Sequence, residues 1–227
     1  GTGEPWIRSH ISVGQGVYKS TDAGKTWQLM GLEKTGRISR ILIDPKNPDV
    51  VLIGAVGHAY GPQQERGVFR TTDGGKTWER VLFTDENTGC SDMVMDPSNS
   101  RVIFAGMWPI EIRTWGRESG GPGSGLFKST DGGVTWKRLT GNGLPTRKTG
   151  KWALAIARSN PNRVYALIET GDGVPLRGEE TDRGKLWRSD DGGATWRLVS
   201  YDRTLGGRTH YYFRMAVSPD NENETYY

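Results

Sequence analysis

The sequence contains very few of the residues that cross-link a protein or bind a metal. Its 227 residues include one cysteine, Cys90, and three histidines, His10, His58 and His210. A single cysteine excludes an intramolecular disulfide. Cys90 also begins a predicted buried strand, so we interpret it as a small core residue. The histidines are far apart and lack the spacing of a metal motif, so we predict no metal and no cofactor.

Long apolar runs and runs of like charge are also missing. No stretch is apolar enough for a membrane span or a signal peptide, so we predict no membrane segment. The 30 basic and 26 acidic side chains are interspersed and give a formal net charge of +4, which argues against a nucleic-acid partner. The sequence lacks an initiating Met and its strand patterns start and stop abruptly. We therefore expect a piece of a longer chain that is secreted, periplasmic or on the cell surface.

Glycine and tryptophan, by contrast, are abundant, with 33 and nine residues. Four of the tryptophans close a repeated phrase, Ser/Thr-x-Asp-x-Gly-x-Thr-Trp. The phrase begins at Ser20, Thr71, Ser129 and at Ser189, where Asp190 takes the second position. The copies are about 50 to 60 residues apart, and a repeat of that size indicates one supersecondary unit per copy.

Each unit reads as four strands, which we label A to D. Short runs that alternate apolar and polar residues flank each phrase, as in 67–70 and 78–83, so the phrase is predicted to be a turn between antiparallel strands C and D. An apolar run, a Pro/Asn turn and a second apolar run, as in 41–55, predict strands A and B. Four antiparallel strands make a blade, and the predicted fold class is an all-β propeller.

We predict that the repeated phrase is a structural staple and carries no catalysis. Its Asp can accept backbone hydrogen bonds, its Gly can take a positive φ, and its Trp can plug the gap beside the neighbouring unit. One copy per unit is what a packing device requires. We therefore expect the four tryptophans to be largely buried in equivalent places. The predicted structural residues are Asp22, Gly24, Trp27, Asp73, Gly75, Trp78, Asp131, Gly133, Trp136, Asp191, Gly193 and Trp196.

The phrase resembles the Asp box, or bacterial neuraminidase repeat. This repeat occurs in sialidases, in xyloglucan-cleaving glycoside hydrolases and in sortilin-type sorting receptors. Four copies cover the whole chain, which is similar in pattern to secreted bacterial proteins of the sortilin-like and xyloglucanase-like kind. The resemblance implies a β-propeller. It does not select a function, because these families bind or cleave different molecules.

Counting the strands predicts a single propeller segment over residues 1–227 with about four blade-equivalents. Part-blades are predicted at 1–31 and 211–227, and full blades near 37–83, 90–140 and 152–200. Larger rings in the similar families favour a segment that missing sequence completes. A closed four-bladed ring, in which the first and last pieces pair, stays open as the alternative.

The predicted strand order separates a short-turn end from a long-loop end. Asp boxes lie at the first end, and the longer B–C and D–A connections lie at the other, where functional loops tend to occur. The long connections hold aromatic side chains beside carboxylates and guanidinium groups. Such a set suits a sugar or peptide groove, and equally a contact with other subunits. The binding candidates are Trp6, Arg8, Tyr60, Trp108, Glu111, Arg113 and Trp115.

The sequence is compatible with two functions. A glycosidase needs two carboxylates across one bond, and no spacing in this chain pairs two of them. The sequence therefore favours a non-catalytic extracellular scaffold that recognises a protein or a glycan, and that also contacts the rest of a longer chain or other subunits. The alternative is a sialidase- or xyloglucanase-like glycoside hydrolase whose site is completed by missing sequence. Glu4 and Glu111 are its first candidate acids, and Trp108 and Trp115 its sugar-stacking platforms.

Overall fold

The secondary structure of this chain is almost entirely β. The computed structural model describes residues 1–8 and 10–227. Within these residues, seventeen strands form five antiparallel sheets, and the helical elements are the two short 3-10 turns Glu33–Thr35 and Arg203–Gly206. No helix in the described ranges is long and apolar enough to cross a bilayer. The all-β fold class predicted from the repeats is confirmed.

Three of the sheets have the strand order of a propeller blade, in which each strand pairs with the next. A two-stranded sheet precedes them and another follows them. In chain order the strands are β1 (Tyr18–Lys19), β2 (Gln28–Leu29), β3 (Ile38–Ile43), β4 (Val51–Ala55), β5 (Gly67–Thr71), β6 (Glu79–Leu82), β7 (Thr88–Met95), β8 (Ile103–Arg113), β9 (Gly116–Ser119), β10 (Gly125–Ser129), β11 (Lys137–Leu139), β12 (Trp152–Ile156), β13 (Val164–Ile168), β14 (Leu186–Ser189), β15 (Arg197–Ser200), β16 (Ala216–Val217) and β17 (Thr225–Tyr226).

The middle blade differs from its neighbours by an extra hairpin. Strand β8 continues past the blade and turns back as β9, with Glu111 opposite Glu118. The alternation of apolar and charged residues along β8 explains the extension. Ile110 is buried in an apolar cluster and Ile112 packs against that cluster. Glu111 and Arg113 lie on the opposite face of the strand. The sequence predicts a loop for this B–C connection, and the structure shows a β-hairpin there.

Serine hydroxyls join the A strands of adjacent blades. The Ser39 hydroxyl on β3 donates to the carbonyl of Cys90 on β7 at 2.6 Å, and the Ser91 hydroxyl on β7 donates to the carbonyl of Trp152 on β12 at 2.8 Å. These bonds are buried, so they satisfy backbone carbonyls that face the neighbouring blade and not water. They fix the spacing of the three complete blades.

Basic side chains on the C strands join adjacent blades at the short-turn end. Each donates to the carbonyl of the first of the two adjacent glycines in the next Asp box. The three bonds run from Lys19 Nζ to Gly74 O at 3.4 Å, from Arg70 Nε to Gly132 O at 3.0 Å, and from Lys128 Nζ to Gly192 O at 2.7 Å. The repeat therefore encodes contacts between units as well as turns within them.

The Asp boxes are closed by their own hydrogen bonds. In the last box the Asp191 carboxylate accepts from the Ser189 hydroxyl at 2.7 Å, from the Thr195 amide at 2.9 Å and from the Thr195 hydroxyl at 2.6 Å. The other three boxes repeat this pattern around Asp22, Asp73 and Asp131. With its oxygens engaged in the turn, each carboxylate acts as a staple.

Glycine is required in the last box for two reasons. Gly193 has a φ of +89°, and a Cβ there would lie 2.6 Å from the Phe104 ring of the preceding blade. A side chain at this position would be strained and would also push adjacent blades apart.

Burial of the box tryptophans increases along the chain. Trp196 is 6% exposed and packs with Phe104 and Leu126 of the preceding blade, whereas Trp78 and Trp136 are half-buried. Trp27 is 63% exposed, so the expectation of equal burial is wrong for this residue. Each later box rests on a preceding blade, and no described residue supplies such a blade for the box of Trp27.

The first and last strand pairs remain separate sheets. No strand of β1–β2 pairs with β16 or β17 within the described residues. The two ends of the chain approach each other through loops, where the Ile7 amide donates to the His210 carbonyl at 3.1 Å. This contact brings the first connection onto the long-loop end beside the last one.

The different burial of Trp196 and Trp27 predicts different effects on stability when each is replaced. We expect Trp196→Ala to lower the free energy of unfolding by about 3–5 kcal/mol, because it removes a large side chain from a packed joint. We expect Trp27→Ala to change it by less than about 1 kcal/mol, because that ring is mostly in water. Denaturant unfolding followed by tryptophan fluorescence and circular dichroism measures both. Equal losses in the two variants would contradict the packing role of Trp196.

The staple makes a pH prediction. Hydrogen bonds from Thr195 hold the pKa of Asp191 down at about 2, below the roughly 3.9 of an unfolded Asp. A lowered pKa contributes stability that is present above about pH 4 and is lost as the pH falls through about 2. Asp191→Asn should therefore lower the melting temperature at neutral pH, with a difference that shrinks between those two values.

The exposed Glu79 on β6 provides the control for that series. We expect Glu79→Gln to leave the melting temperature nearly unchanged at every pH, since Glu79 forms no ion pair within the described residues. If the Asp191→Asn deficit stays constant down to about pH 2, ionisation of the box carboxylate does not stabilise the turn.

Candidate functional site

The long-loop end has a buried apolar base. Ile7 from the first connection, Val56 and Ala59 after β4, and Trp108 and Ile110 on β8 form one buried cluster. Three separate segments of the chain are held together by this cluster. The polar side chains above it are therefore carried on a packed platform.

Trp108 belongs to this base and does not reach the surface. It is fully buried, its indole N–H donates to the Ser119 hydroxyl at 2.8 Å, and that hydroxyl donates to the Glu169 carboxylate at 2.6 Å. The expectation that Trp108 stacks on a sugar is therefore wrong. An apolar run on β8 faces the core on both sides, and the local sequence does not distinguish a buried Trp from an exposed one.

A buried lysine that sequence reasoning missed lies above the same tryptophan. Lys151 Nζ is 4.8 Å from the ring centre of Trp108 and 4.9 Å from that of Trp6, and it donates to the His210 carbonyl at 3.2 Å. Burial lowers the pKa of Lys151 to about 7, and the charge of Glu169 acts in the opposite direction. Both indole rings favour the ammonium form. Lys151 thus joins the first connection to the last one.

Two neighbouring cavities on the long-loop end are lined by predicted binding candidates. The first, which we name the aromatic cleft, has a volume of about 530 Å³. Tyr212 is 71% exposed there, and its ring lies 4.4 Å from that of Tyr211. The guanidinium of Arg214 lies 3.8 Å from the ring centre of Trp6. The cleft is lined by Glu4, Trp6, Arg8, Tyr211, Tyr212, Phe213, Arg214 and Tyr227.

Sequence reasoning missed the tyrosines of the cleft. The run His210-Tyr211-Tyr212-Phe213 is visible in the sequence, and such a concentration of aromatic residues in a connection is the signal that could have identified it. Their position opposite Trp6 depends on the contact between Ile7 and His210, which the sequence does not show.

The second cavity, which we name the arginine pocket, has a volume of about 410 Å³. Its lining includes Tyr60, which is 58% exposed, and Arg8, which also lines the aromatic cleft. The two cavities are therefore neighbours on one face, and the structure brings together the predicted binding candidates Trp6, Arg8, Tyr60 and Arg113. The pocket is lined by Arg8, Tyr60, Ile112, Arg113, Thr114, Gly116 and Arg117.

Arginines engage both candidate acids on this face. Glu4 forms an ion pair with Arg8 at 2.7 Å. Glu111 accepts two hydrogen bonds from Arg113, at 3.0 and 2.9 Å, and these bonds hold the pKa of Glu111 below its usual range. An ionised Glu111 can accept hydrogen bonds from hydroxyl groups, and it is poorly suited to donate a proton to a leaving group.

The last binding candidate lies apart from both cavities. Trp115 is 82% exposed at the tip of the β8–β9 hairpin and contributes to the lining of neither cavity. As for metal binding, the described part of the chain holds no group of three or more His, Cys, Asp or Glu side chains arranged to ligate an ion.

Comparison with curated proteins finds glycan-cleaving enzymes. A xyloglucanase of Hypocrea jecorina is 25% identical over 209 residues, which are 81% of this chain and 23% of that protein. A sialidase of Bacteroides fragilis is 25% identical over 175 residues, which are 58% of this chain and 29% of that protein. The chain thus spans about a quarter of the length of these relatives.

Comparison with solved structures finds the same fold. A GH74 enzyme of Niastella koreensis matches with a TM-score of 0.65 at 20% identity, over 92% of this chain and 31% of that one. The GH74 xyloglucanase of Xanthomonas campestris matches with a TM-score of 0.60 at 17% identity, over 98% of this chain and 32% of that one. At these identities the match shows a shared β-propeller architecture.

A family model covers more than half of the chain. The model described as Sortilin, neurotensin receptor 3 matches residues 15–142, which include three of the four Asp boxes. The predicted resemblance to Asp-box propellers is confirmed by this match and by the relatives above. This chain is a member of the Sortilin-Vps10 family.

Proposed function

We propose that this chain is the glycan-binding propeller segment of a glycoside hydrolase. The observation that carries the proposal is the adjacency of the aromatic cleft and the arginine pocket, which share Arg8 on one face. The similarity to xyloglucanases and to a sialidase supports a hydrolase over a non-catalytic scaffold.

The chemistry of the cleft suits a sugar. The C–H face of a pyranose is apolar and packs on exposed aromatic rings such as Tyr212, while its hydroxyls need hydrogen-bond partners. Glu4 and Arg8 line the same cleft and provide an acceptor and donors. A row of aromatic and charged groups along one face is suited to an extended saccharide chain.

Our proposal gives this chain the role of holding the substrate. Glu111 is ionised by its contact with Arg113, so it can orient hydroxyls or accept a proton from water, while an acid that protonates the leaving group has to be a different residue. The chain spans about a quarter of the relatives' length. We therefore propose hydrolysis for the whole protein and substrate binding for this chain.

The arrangement in the whole protein is also a proposal. We interpret residues 1–227 as a propeller segment of about four blade-equivalents, with part-blades at 1–31 and 211–227 and full blades near 37–83, 90–140 and 152–200. A secreted, periplasmic or cell-surface location is consistent with a polysaccharide ligand, which a cell meets outside its cytoplasm.

A binding experiment tests the proposal. The full chain should bind at least one oligosaccharide from a glycan array or from a set of xyloglucan fragments. Tyr212→Ala should weaken that binding by roughly tenfold, because the exposed ring is removed from the cleft. Tyr201→Ala is the matched control, since Tyr201 is 66% exposed and lines neither cavity. Isothermal titration calorimetry measures the affinities.

An activity assay separates the two classes of function. Release of reducing sugar that disappears in Glu111→Gln would extend the proposal from binding to hydrolysis by this chain. Binding without turnover would leave this chain as the substrate-holding part. Absence of binding to every glycan tested would refute the proposal and favour a protein partner.

A further inference from the structure

The arginine pocket has a lining of one charge sign. Its charged residues are Arg8, Arg113 and Arg117, and no carboxylate lines it. The other lining groups are small or apolar apart from Tyr60 and Thr114. The charged groups that face this cavity are therefore guanidinium groups, whose N–H donors suit an anion.

The three arginines are not equally neutralised. Arg8 pairs with Glu4 at 2.7 Å. Arg113 makes a two-pronged contact with Glu111 and lies 3.9 Å from the Glu118 carboxylate. Arg117 forms no ion pair with any described residue, and its guanidinium reaches only the Ile7 carbonyl, at 3.5 Å. Arg117 therefore keeps several N–H donors available to a ligand in the pocket.

Two further arginines below the pocket lack carboxylate partners. Arg37 is fully buried with its guanidinium 6.0 Å from the Tyr60 ring centre, and it donates to the carbonyls of Gly57 and Ile11 at 3.3 and 3.5 Å. Arg66 is also fully buried and donates to backbone carbonyls such as those of Asn87 and Ile110.

These buried charges add to the positive potential of the pocket. The Nε atoms of Arg37 and Arg66 have no hydrogen-bond partner within the described residues. Burial lowers the pKa of Arg66 to about 10, so it stays protonated at neutral pH. Asp85 and Glu111 act on Arg66, and Glu4 acts on Arg37, without forming an ion pair with it. A buried charge that is only partly balanced is costly, and an anion bound nearby would reduce that cost.

We propose that the arginine pocket binds the carboxylate of a uronic-acid residue, next to a sugar held in the aromatic cleft. The inference rests on the proposed glycan-binding function and names the substrate class. A planar carboxylate matches the two parallel donors of a guanidinium. The exposed Tyr60 ring provides a surface for the pyranose that carries the carboxylate, and Arg8 lies between the two cavities.

The test uses ligands that differ only in the carboxylate. One pair is tetragalacturonate and its carboxyl-reduced form, and the other is a glucuronate-bearing xylo-oligosaccharide and its reduced form. In the full chain at low salt, we expect at least one acidic ligand to bind about tenfold more tightly than its reduced form, because charge-assisted hydrogen bonds are added. Titration calorimetry gives the four affinities.

Two variants locate the carboxylate. Arg117→Gln should reduce the preference for the acidic ligand to near one, because a charge-assisted hydrogen bond to the carboxylate is lost. Arg177→Gln is the matched control. Arg177 is 73% exposed, pairs with Glu118 on the β8–β9 hairpin that also carries Arg117, and does not line the pocket. The control variant should keep the full preference for the acidic ligand.

The outcomes distinguish this inference from the proposed function. Equal affinity for acidic and reduced ligands, with binding still lost in Tyr212→Ala, overturns only the carboxylate site. A preference that Arg117→Gln and Arg177→Gln reduce equally overturns it too, because it then reflects general attraction to a chain of net charge +4. Absence of binding to all four ligands and to every other glycan overturns both.

Discussion

The joint between neighbouring blades is the contact on which the rest of the structure depends. A four-stranded sheet exposes apolar side chains on both faces and cannot bury them alone. Here a serine hydroxyl joins successive A strands, and a C-strand lysine or arginine holds the turn of the next blade. Because both contacts recur, each blade takes the same position relative to the one before it.

The joint also explains why the two ends of the blades differ in character. The short turns at the Asp-box end make the contacts within and between blades. Their carboxylates accept hydrogen bonds from Ser and Thr side chains of the same box. Connections at the opposite end do not carry these repeated contacts between blades, and they vary in length. One of them has extended into the β8–β9 hairpin, and another carries the Tyr211-Tyr212 pair. The side chains that differ from one unit to the next therefore lie at the long-loop end.

Burial of charge at the long-loop end is the second constraint on the site. Lys151, Arg37 and Arg66 are buried, form no ion pair within the described residues, and donate to backbone carbonyls. Lys151 ties the first connection to the last, and so keeps Trp6 opposite the tyrosines of the cleft. The same group of cations gives the face its positive potential. Positioning and electrostatics thus come from one set of side chains.

The repeat by itself determined the fold, because an Asp, a Gly, a Thr and a Trp at fixed spacing specify a local turn, and the alternating runs beside them specify strands. Local patterns predicted neither the burial of Trp108 nor the exposure of Trp27, since each depends on whether another blade or loop covers the ring. Tertiary structure alone decided that Arg8, Tyr60 and Arg117, from connections distant in the sequence, line one pocket. The reason is physical. Hydrogen bonds within a turn join near neighbours in the chain, whereas the binding face is made by loops that are brought together by the joints between blades and by the contact between Ile7 and His210.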